Sequence, residues 1–132
     1  MGILGADVYN APVTDGSDLD VLVISTPIEL ERLRQMAAQT FGDMVKAVVD
    51  INLPLLALGG EMHADEESIL IQRGSQQSDL WGINIYPDKP RSEWIELDPM
   101  INIRPRQNNR SRYVEDDRIR EVITGIVDSL IV

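Results

Sequence analysis

Short apolar runs along the chain predict four of its strands. The runs VLVIS at 21–25, VKAVVDI at 45–51 and LLAL at 55–58 are short and rich in branched apolar residues, which favours strands. A brief Asn-Leu-Pro connection joins the second and third runs, so we predict a hairpin there. The run LWGINIY at 80–86 alternates between apolar and polar residues, which predicts a fourth strand with one buried face.

The longest predicted strand runs from Trp94 to Arg104. Apolar residues fall mainly on one parity of this stretch and polar residues on the other, as expected for a strand with one buried face. Pro99 lies within it and has no backbone N–H to donate. We therefore predict that this strand lies at the edge of the sheet or contains a bulge at the proline.

Three other stretches repeat apolar residues at helical spacing. They predict helices over about 27–41, 65–73 and 115–131, and the last has the clearest pattern. Its apolar face is formed by Ile119, Val122, Ile123, Ile126, Val127, Leu130 and Ile131. Acidic residues occupy the first turns of the second and third helices, where they interact favourably with the helix dipole.

The predicted element order is β-α-β-β-α-β-β-α. This order indicates an α+β fold, a two-layer sandwich with the helices on one face of a mostly antiparallel sheet. Residues 21–132 are predicted to form a single domain. Residues 1–20 contain four aspartates and no Lys or Arg, and we expect a mobile acidic leader whose apolar residues are able to dock on the domain.

The balance of charge and the absence of cysteine narrow the range of functions. The chain has 22 acidic and 12 basic residues and a net charge of −10, which disfavours general binding to nucleic acid. The lack of cysteine excludes disulfides, thiolate metal sites and a cysteine nucleophile, and it fits a reducing cytoplasm. No apolar run approaches the roughly 18 residues of a membrane span, so we predict a cytoplasmic protein without a membrane partner.

The stretch INIRPRQNNRSR at 101–112 contains four arginines and no acid. Guanidinium groups beside a helix N-terminus suit a phosphate or carboxylate, so this stretch is a candidate anion site. The predicted ligand-binding residues are Arg104, Arg110, Arg112, Asn102, Asn84 and Ser111. In the alternative interpretation, the arginines form ion pairs with nearby acids of the same chain, such as Glu96 and Asp98. Both interpretations stay open at the level of sequence.

The stretch GGEMHADEE at 59–67 contains His63, the only histidine, between Glu61 and Asp65. Carboxylates and an imidazole can bind a divalent metal, and a histidine can act as a general base, so these are the candidate catalytic residues. The same acids also suit the first turn of a helix. Because the HExxH and GxSxG motifs are absent, we assign no metal ligands and expect no cofactor.

Several motifs resemble an uncharacterised bacterial family of short proteins, a domain of unknown function. They are FGDMVKAVVDI, ALGGEMHADEE, LWGINIYP, MINIRP and NRSR, and the resemblance covers about residues 22–132. It implies a soluble bacterial protein and little about chemistry. In that family small residues are usual where this chain has Arg106, so the resemblance favours Arg104, Arg110 and Arg112 as parts of a shared site.

Three hypotheses follow for the function. The first is a small cytoplasmic binding or adaptor protein that holds an acidic protein partner or a small anionic ligand. The second is a metal-assisted hydrolase that uses Glu61, His63 and Asp65, with the arginines gripping an anionic substrate, and it requires the two stretches to converge. The third is a structural subunit whose arginines are internal. Self-association through a sheet edge or the region of Trp94 is compatible with each of them.

Overall fold

The computed structural model describes residues 21–132, and the leader predicted over residues 1–20 lies outside them. The strands are Leu22–Ile24 (β1), Val45–Asp50 (β2), Leu55–Leu58 (β3), Leu80–Ile85 (β4) and Ile95–Glu96 (β5). The helices are Leu30–Gln39 (α1), His63–Gln72 (α2) and Asp117–Leu130 (α3). None of the helices in this part of the chain is long and apolar enough to cross a membrane.

The strands form one sheet in the order β1-β3-β2-β4-β5. Each neighbouring pair is antiparallel, and β2 and β3 form the predicted hairpin. The α+β class, the antiparallel sheet and the order of elements predicted from the sequence are therefore confirmed.

The helices pack on both faces of the sheet, although the sequence pattern predicted one. Helices α1 and α3 cover the face that carries Val49, Leu56 and Ile83. Helix α2 packs against the opposite face through Ile69 and Leu70, where the strands present residues such as Val48 and Ala57. The reason is that β1 and β3 are apolar on both sides and β2 adds Val48 to the second face, a pattern typical of strands that are covered on both faces.

The predicted long strand over 94–104 is wrong beyond its first residues. Only Ile95–Glu96 pairs with β4, and after Pro99 the chain turns through a short 3₁₀ turn at Met100–Asn102. Beyond this point the buried edge of β4 is completed by a side chain. The Gly82 N–H donates to Asn102 Oδ1 at 2.8 Å, and Asn102 Nδ2 donates to the Gly82 carbonyl at 3.0 Å. One amide side chain thus takes the role of a paired strand.

Candidate functional site

A cleft of about 330 Å³ lies where the start of α2 meets the sheet. His63 and Ala64 line it from α2, Met62 lines it just before the helix, and residues 99–101 form another wall. Lys46 of β2 and Asn84 of β4 lie between them, and Arg112 reaches the cleft from the loop before α3. The cleft therefore joins the two stretches that the sequence singled out.

A row of polar side chains crosses the sheet at this cleft. Lys46 lies opposite Asn84 in the β2–β4 register, and Asn84 lies opposite Glu96 in the β4–β5 register. Asn84 Nδ2 donates to Glu96 Oε1 at 2.7 Å. Asn84 Oδ1 is buried and has no hydrogen-bond partner among the described residues, which is costly for a polar atom. The row thus includes one acceptor whose bonding capacity is unused.

His63 is half-buried at the first turn of α2, and its Nε2–H donates to the Ile83 carbonyl at 2.9 Å. Burial lowers the pKa of His63; the hydrogen bond to Ile83 opposes this change, and the charge of Lys46 reinforces it. The ring is therefore neutral at neutral pH. The side chain of Asn84 also opposes the lowering of this pKa, so it lies beside the His63 ring.

The wall at 99–101 is held over β4 by close packing. A Cβ added at Gly82 would lie 2.8 Å from Cγ1 of Ile101 and 3.1 Å from Cβ of Pro99. Only glycine fits beneath this segment, and the hydrogen bonds from Gly82 to Asn102 fix the end of the same segment. Asn102 was predicted to bind a ligand, but its amide is hydrogen-bonded to Gly82 and holds one wall of the cleft in place.

The loop that carries the arginines is built around Asn109, which is buried. Asn109 Nδ2 donates to the carbonyls of Asn102 (2.6 Å), Ser111 (3.0 Å) and Tyr113 (2.9 Å). Its Oδ1 accepts the N–H of Glu115 at 2.8 Å. This single side chain organises the backbone from the end of the 3₁₀ turn to the start of α3.

Arg104 is an internal ion-pair partner. Its Nη2 donates to Glu67 Oε2 at 2.9 Å, its Nη1 to the Gln77 carbonyl at 2.9 Å and its Nε to the Ile101 carbonyl at 3.1 Å. Its side chain is only 9% exposed. Burial lowers the pKa of Arg104, and the Glu67 carboxylate opposes that change, so the guanidinium stays charged. Arg104 therefore ties α2 to the loop.

Ser111 and Arg110 contribute to a second internal contact. The Ser111 hydroxyl donates to Glu115 Oε2 at 2.7 Å, and the backbone N–H groups of Ser111 and Arg110 donate to the same oxygen. These bonds, with that from the hydroxyl the largest, lower the pKa of Glu115. The guanidinium groups of Arg106 and Arg110 make no hydrogen bond or ion pair to residues 21–132.

Arg112 differs from the other arginines because it lines the cleft. Its Nε donates to the Asp98 carbonyl at 2.9 Å, which leaves its two terminal nitrogens without a hydrogen bond in the described part of the chain. Of the six predicted ligand-binding residues, Arg112 and Asn84 line the cleft. Arg104, Asn102 and Ser111 are engaged by the protein itself, and the Arg110 side chain lies outside the cleft lining.

The three residues of the predicted catalytic stretch do not meet. His63 lines the cleft, whereas Glu61 lines a separate one together with Thr40 and Phe41. Within residues 21–132 there is no group of three or more His, Asp or Glu side chains able to hold a metal ion. The geometry that the hydrolase hypothesis requires of Glu61, His63 and Asp65 is therefore not present in this region.

The sequence interpretation missed Lys46 and Glu66. Lys46 is the only charged residue of β2 before its last position, and a lone charge in an apolar strand could have pointed to a site. Its partner on β4 could not have been found in this way, because it depends on the strand register. Glu66 was assigned only to a helix first turn. It is fully buried, with Oε2 accepting the Gly60 N–H at 2.9 Å and Oε1 without a partner among residues 21–132. Burial raises the pKa of Glu66 well above its ordinary value.

Comparison with known proteins identifies the family and no activity. The model of a family described as a protein of unknown function, DUF5674, matches residues 22–130. No curated protein and no solved structure matches the chain. The matched range includes the five strands and three helices given above and the residues that line the cleft. The chain therefore belongs to the DUF5674 family.

Proposed function

We propose that the protein is a small binding protein whose cleft receives an anionic group. The observation that carries this proposal is the charge of the cleft. Lys46 and Arg112 bring two positive charges to it, and no carboxylate of residues 21–132 is among the residues that line it, although the chain has a net charge of −10. Two cations in a concave site focus a positive potential that an otherwise acidic surface lacks.

The start of α2 supports the same proposal. Helix α2 begins at His63, and no side chain caps its N-terminus. The first N–H groups of a helix have no partner within it and carry a partial positive charge, so they bind anions well. His63 and Ala64 bring this end of the helix to the cleft, beside the two cationic side chains.

The cleft also contains a buried hydrogen-bond acceptor, which narrows the class of anion. Asn84 Oδ1 is buried and accepts no hydrogen bond from the described residues. A ligand that carries a hydroxyl group beside its negative charge can donate to this oxygen while its charge meets the two cations. The proposed ligand is therefore a small hydroxylated carboxylate or phosphate.

Matched small anions test this proposal. Citrate and tricarballylate carry the same three carboxylates, but only citrate has a hydroxyl group, and pyrophosphate represents the phosphate class. At constant ionic strength, we expect citrate or pyrophosphate to raise Tm saturably, because a ligand that binds only the folded state stabilises it. Citrate is expected to bind more tightly than tricarballylate in calorimetric titration.

Two cleft variants and one matched control test whether the anion binds in this cleft. Lys46→Ala and Arg112→Ala are each expected to weaken citrate binding about tenfold or more, whereas Arg110→Ala, which removes an arginine outside the cleft, is expected to retain the wild-type affinity. Equal binding by Arg112→Ala and Arg110→Ala would overturn the assignment to this cleft. If none of the three anions binds saturably, the cleft is not a small-anion site, and an acidic segment of a partner protein becomes the next hypothesis.

A further inference from the structure

The chain enters the described domain at the end of the sheet that holds the cleft. Leu22 of β1 pairs with Leu58, Leu58 pairs with Ala47, and Ala47 pairs with Ile83, so these four residues form one row across the sheet. One step further toward the same end lie Val21, Gly59, Lys46 and Asn84. A Cβ at Gly60 would lie 3.2 Å from Cγ2 of Val21, so Val21 lies beside Gly60, which comes two residues before the cleft-lining Met62.

The segment that precedes Val21 is close enough to reach the cleft. Neighbouring strands lie about 4.8 Å apart, so β2 is roughly 10 Å from β1 and β4 roughly 14 Å. An extended chain spans about 3.3 Å per residue, so about five residues cover that distance. The carboxylates of Asp15 and Asp18, six and three residues before Val21, are therefore within reach of Lys46 by chain length alone.

The composition of that segment complements the cleft. Residues 1–20 contain four aspartates and no basic residue, together with apolar residues such as Ile3 and Leu4. The cleft offers the charges of Lys46 and Arg112 and an apolar rim of methionines, of which Met62 is 55% exposed and Met100 is 68% exposed. Exposed methionines adapt to partners of varied shape, and an apolar rim around charged groups is typical of an interaction surface.

We propose that residues 1–20 are the internal competitor for this cleft, so that an external anion has to displace them in order to bind. The proposal rests on the proposed function, since it concerns the same cleft. A short covalent tether supplies an effective concentration in the millimolar range. Even a segment of weak intrinsic affinity then reduces the apparent affinity of the cleft for a free anion.

The test is made in the full chain by removing the charges of the segment. Asp7, Asp15, Asp18 and Asp20 are changed together to asparagine, and the Kd for citrate is measured by calorimetry at fixed ionic strength. We expect binding about threefold tighter or more than in the wild type, because the competitor is weakened while the tether remains. A synthetic peptide of residues 1–20, added to this variant, is expected to raise its Kd for citrate again.

The control removes the same amount of charge elsewhere. Glu29, Glu31, Glu93 and Glu121 are exposed, and none of them lines the cleft. Their joint change to glutamine is expected to tighten citrate binding less than the change of the four aspartates. An equal gain would show a general effect of net charge and would overturn the proposal. Unchanged binding in the aspartate variant would overturn it while leaving the proposed function intact. If neither the wild type nor the aspartate variant binds citrate or pyrophosphate, both proposals fail.

Discussion

Arg104 and Arg112 lie eight residues apart in one loop, and the structure uses them in opposite ways. The Arg104 side chain is almost enclosed, and each of its three guanidinium nitrogens donates to an acceptor of the protein. Arg112 is exposed, makes one such bond through its Nε and lines the cleft. The same residue type is therefore a structural contact at one end of the loop and a candidate binding group at the other.

The difference arises from which part of α2 each arginine meets. Arg104 meets the second turn of the helix, where Glu67 supplies a carboxylate. Arg112 comes to the cleft at the first turn, where His63 is neutral and the helix presents N–H groups. The composition of an arginine-rich stretch thus does not reveal its role. An arginine is available to a ligand where no carboxylate of the described residues is already paired with its guanidinium.

The largest expected loss of stability follows from removing Asn102, whose side chain helps to hold the loop that carries both arginines. Asn102→Ala removes the side chain that pairs with both polar groups of Gly82 and leaves them buried without partners. We expect a loss of about 3 kcal/mol in the free energy of unfolding, measured by urea denaturation. Gln107→Ala, at an exposed site of the same loop, should cost less than about 1 kcal/mol. Equal losses in both variants would contradict the role assigned to Asn102.

Arg104→Ala tests whether Arg104 is a structural contact. It removes three hydrogen bonds and leaves the Glu67 carboxylate without its ion-pair partner, so we expect a loss of about 2 kcal/mol in unfolding free energy. A double-mutant cycle with Glu67→Ala should show a coupling between the two residues. Citrate affinity should be nearly unchanged in Arg104→Ala, and a large loss of affinity without a loss of stability would reverse the roles assigned to the two arginines.

The pH dependence of the free energy of unfolding tests the protonation of the two titratable residues of α2, Glu66 and His63. The folded pKa of Glu66 is raised, so the folded protein binds more protons than the unfolded chain above the ordinary carboxyl value of about 4.5. Stability from Glu66 is full below that value and decreases as pH rises through the folded pKa, by up to about 1.4 kcal/mol per pH unit. His63, whose pKa is lowered, acts in the opposite sense by destabilising the fold as pH falls below about 6.5.

Glu66→Gln separates these two contributions because glutamine does not titrate. The difference in unfolding free energy between the variant and the wild type is expected to grow in favour of the variant as pH rises from 5 to 8. Urea denaturation at several pH values measures this difference, and the contribution of His63 cancels in it. A difference that stays constant with pH would show that the folded pKa of Glu66 is not raised into or above this range and would contradict the effect assigned to its burial.

The smallest effect on stability is expected for Arg112, the exposed arginine of the pair. Arg112→Ala removes one exposed hydrogen bond and should cost less than about 0.5 kcal/mol in unfolding free energy. Its effect on citrate binding should nevertheless be about tenfold or more, since charge-assisted bonds to an anion contribute about 1.5–3 kcal/mol. Arg110→Ala should change neither quantity. A stability loss in Arg112→Ala as large as in Arg104→Ala would remove the distinction between the two sites.

Local periodicity was sufficient to predict the helices, most of the strands and the α+β class. It did not predict the position of α2, because the pattern of a helix shows which of its own sides is apolar and not which sheet face receives it. The strand predicted over 94–104 failed because Asn102 pairs with Gly82, a contact between residues 20 positions apart. Lys46 was not predicted as a site residue because its place opposite Asn84 depends on the β2–β4 register, which no local sequence pattern determines.

The most direct test of the central claim is a titration of the ¹⁵N-labelled protein with citrate, followed by two-dimensional NMR. The cleft assignment predicts saturable shift changes at Lys46, His63, Ala64 and Arg112, with the amide of Arg104 nearly unchanged. Shifts confined to Arg106 and Arg110, or changes that grow linearly without saturation, would contradict it and would show that the positive charge of this loop does not form a specific anion site.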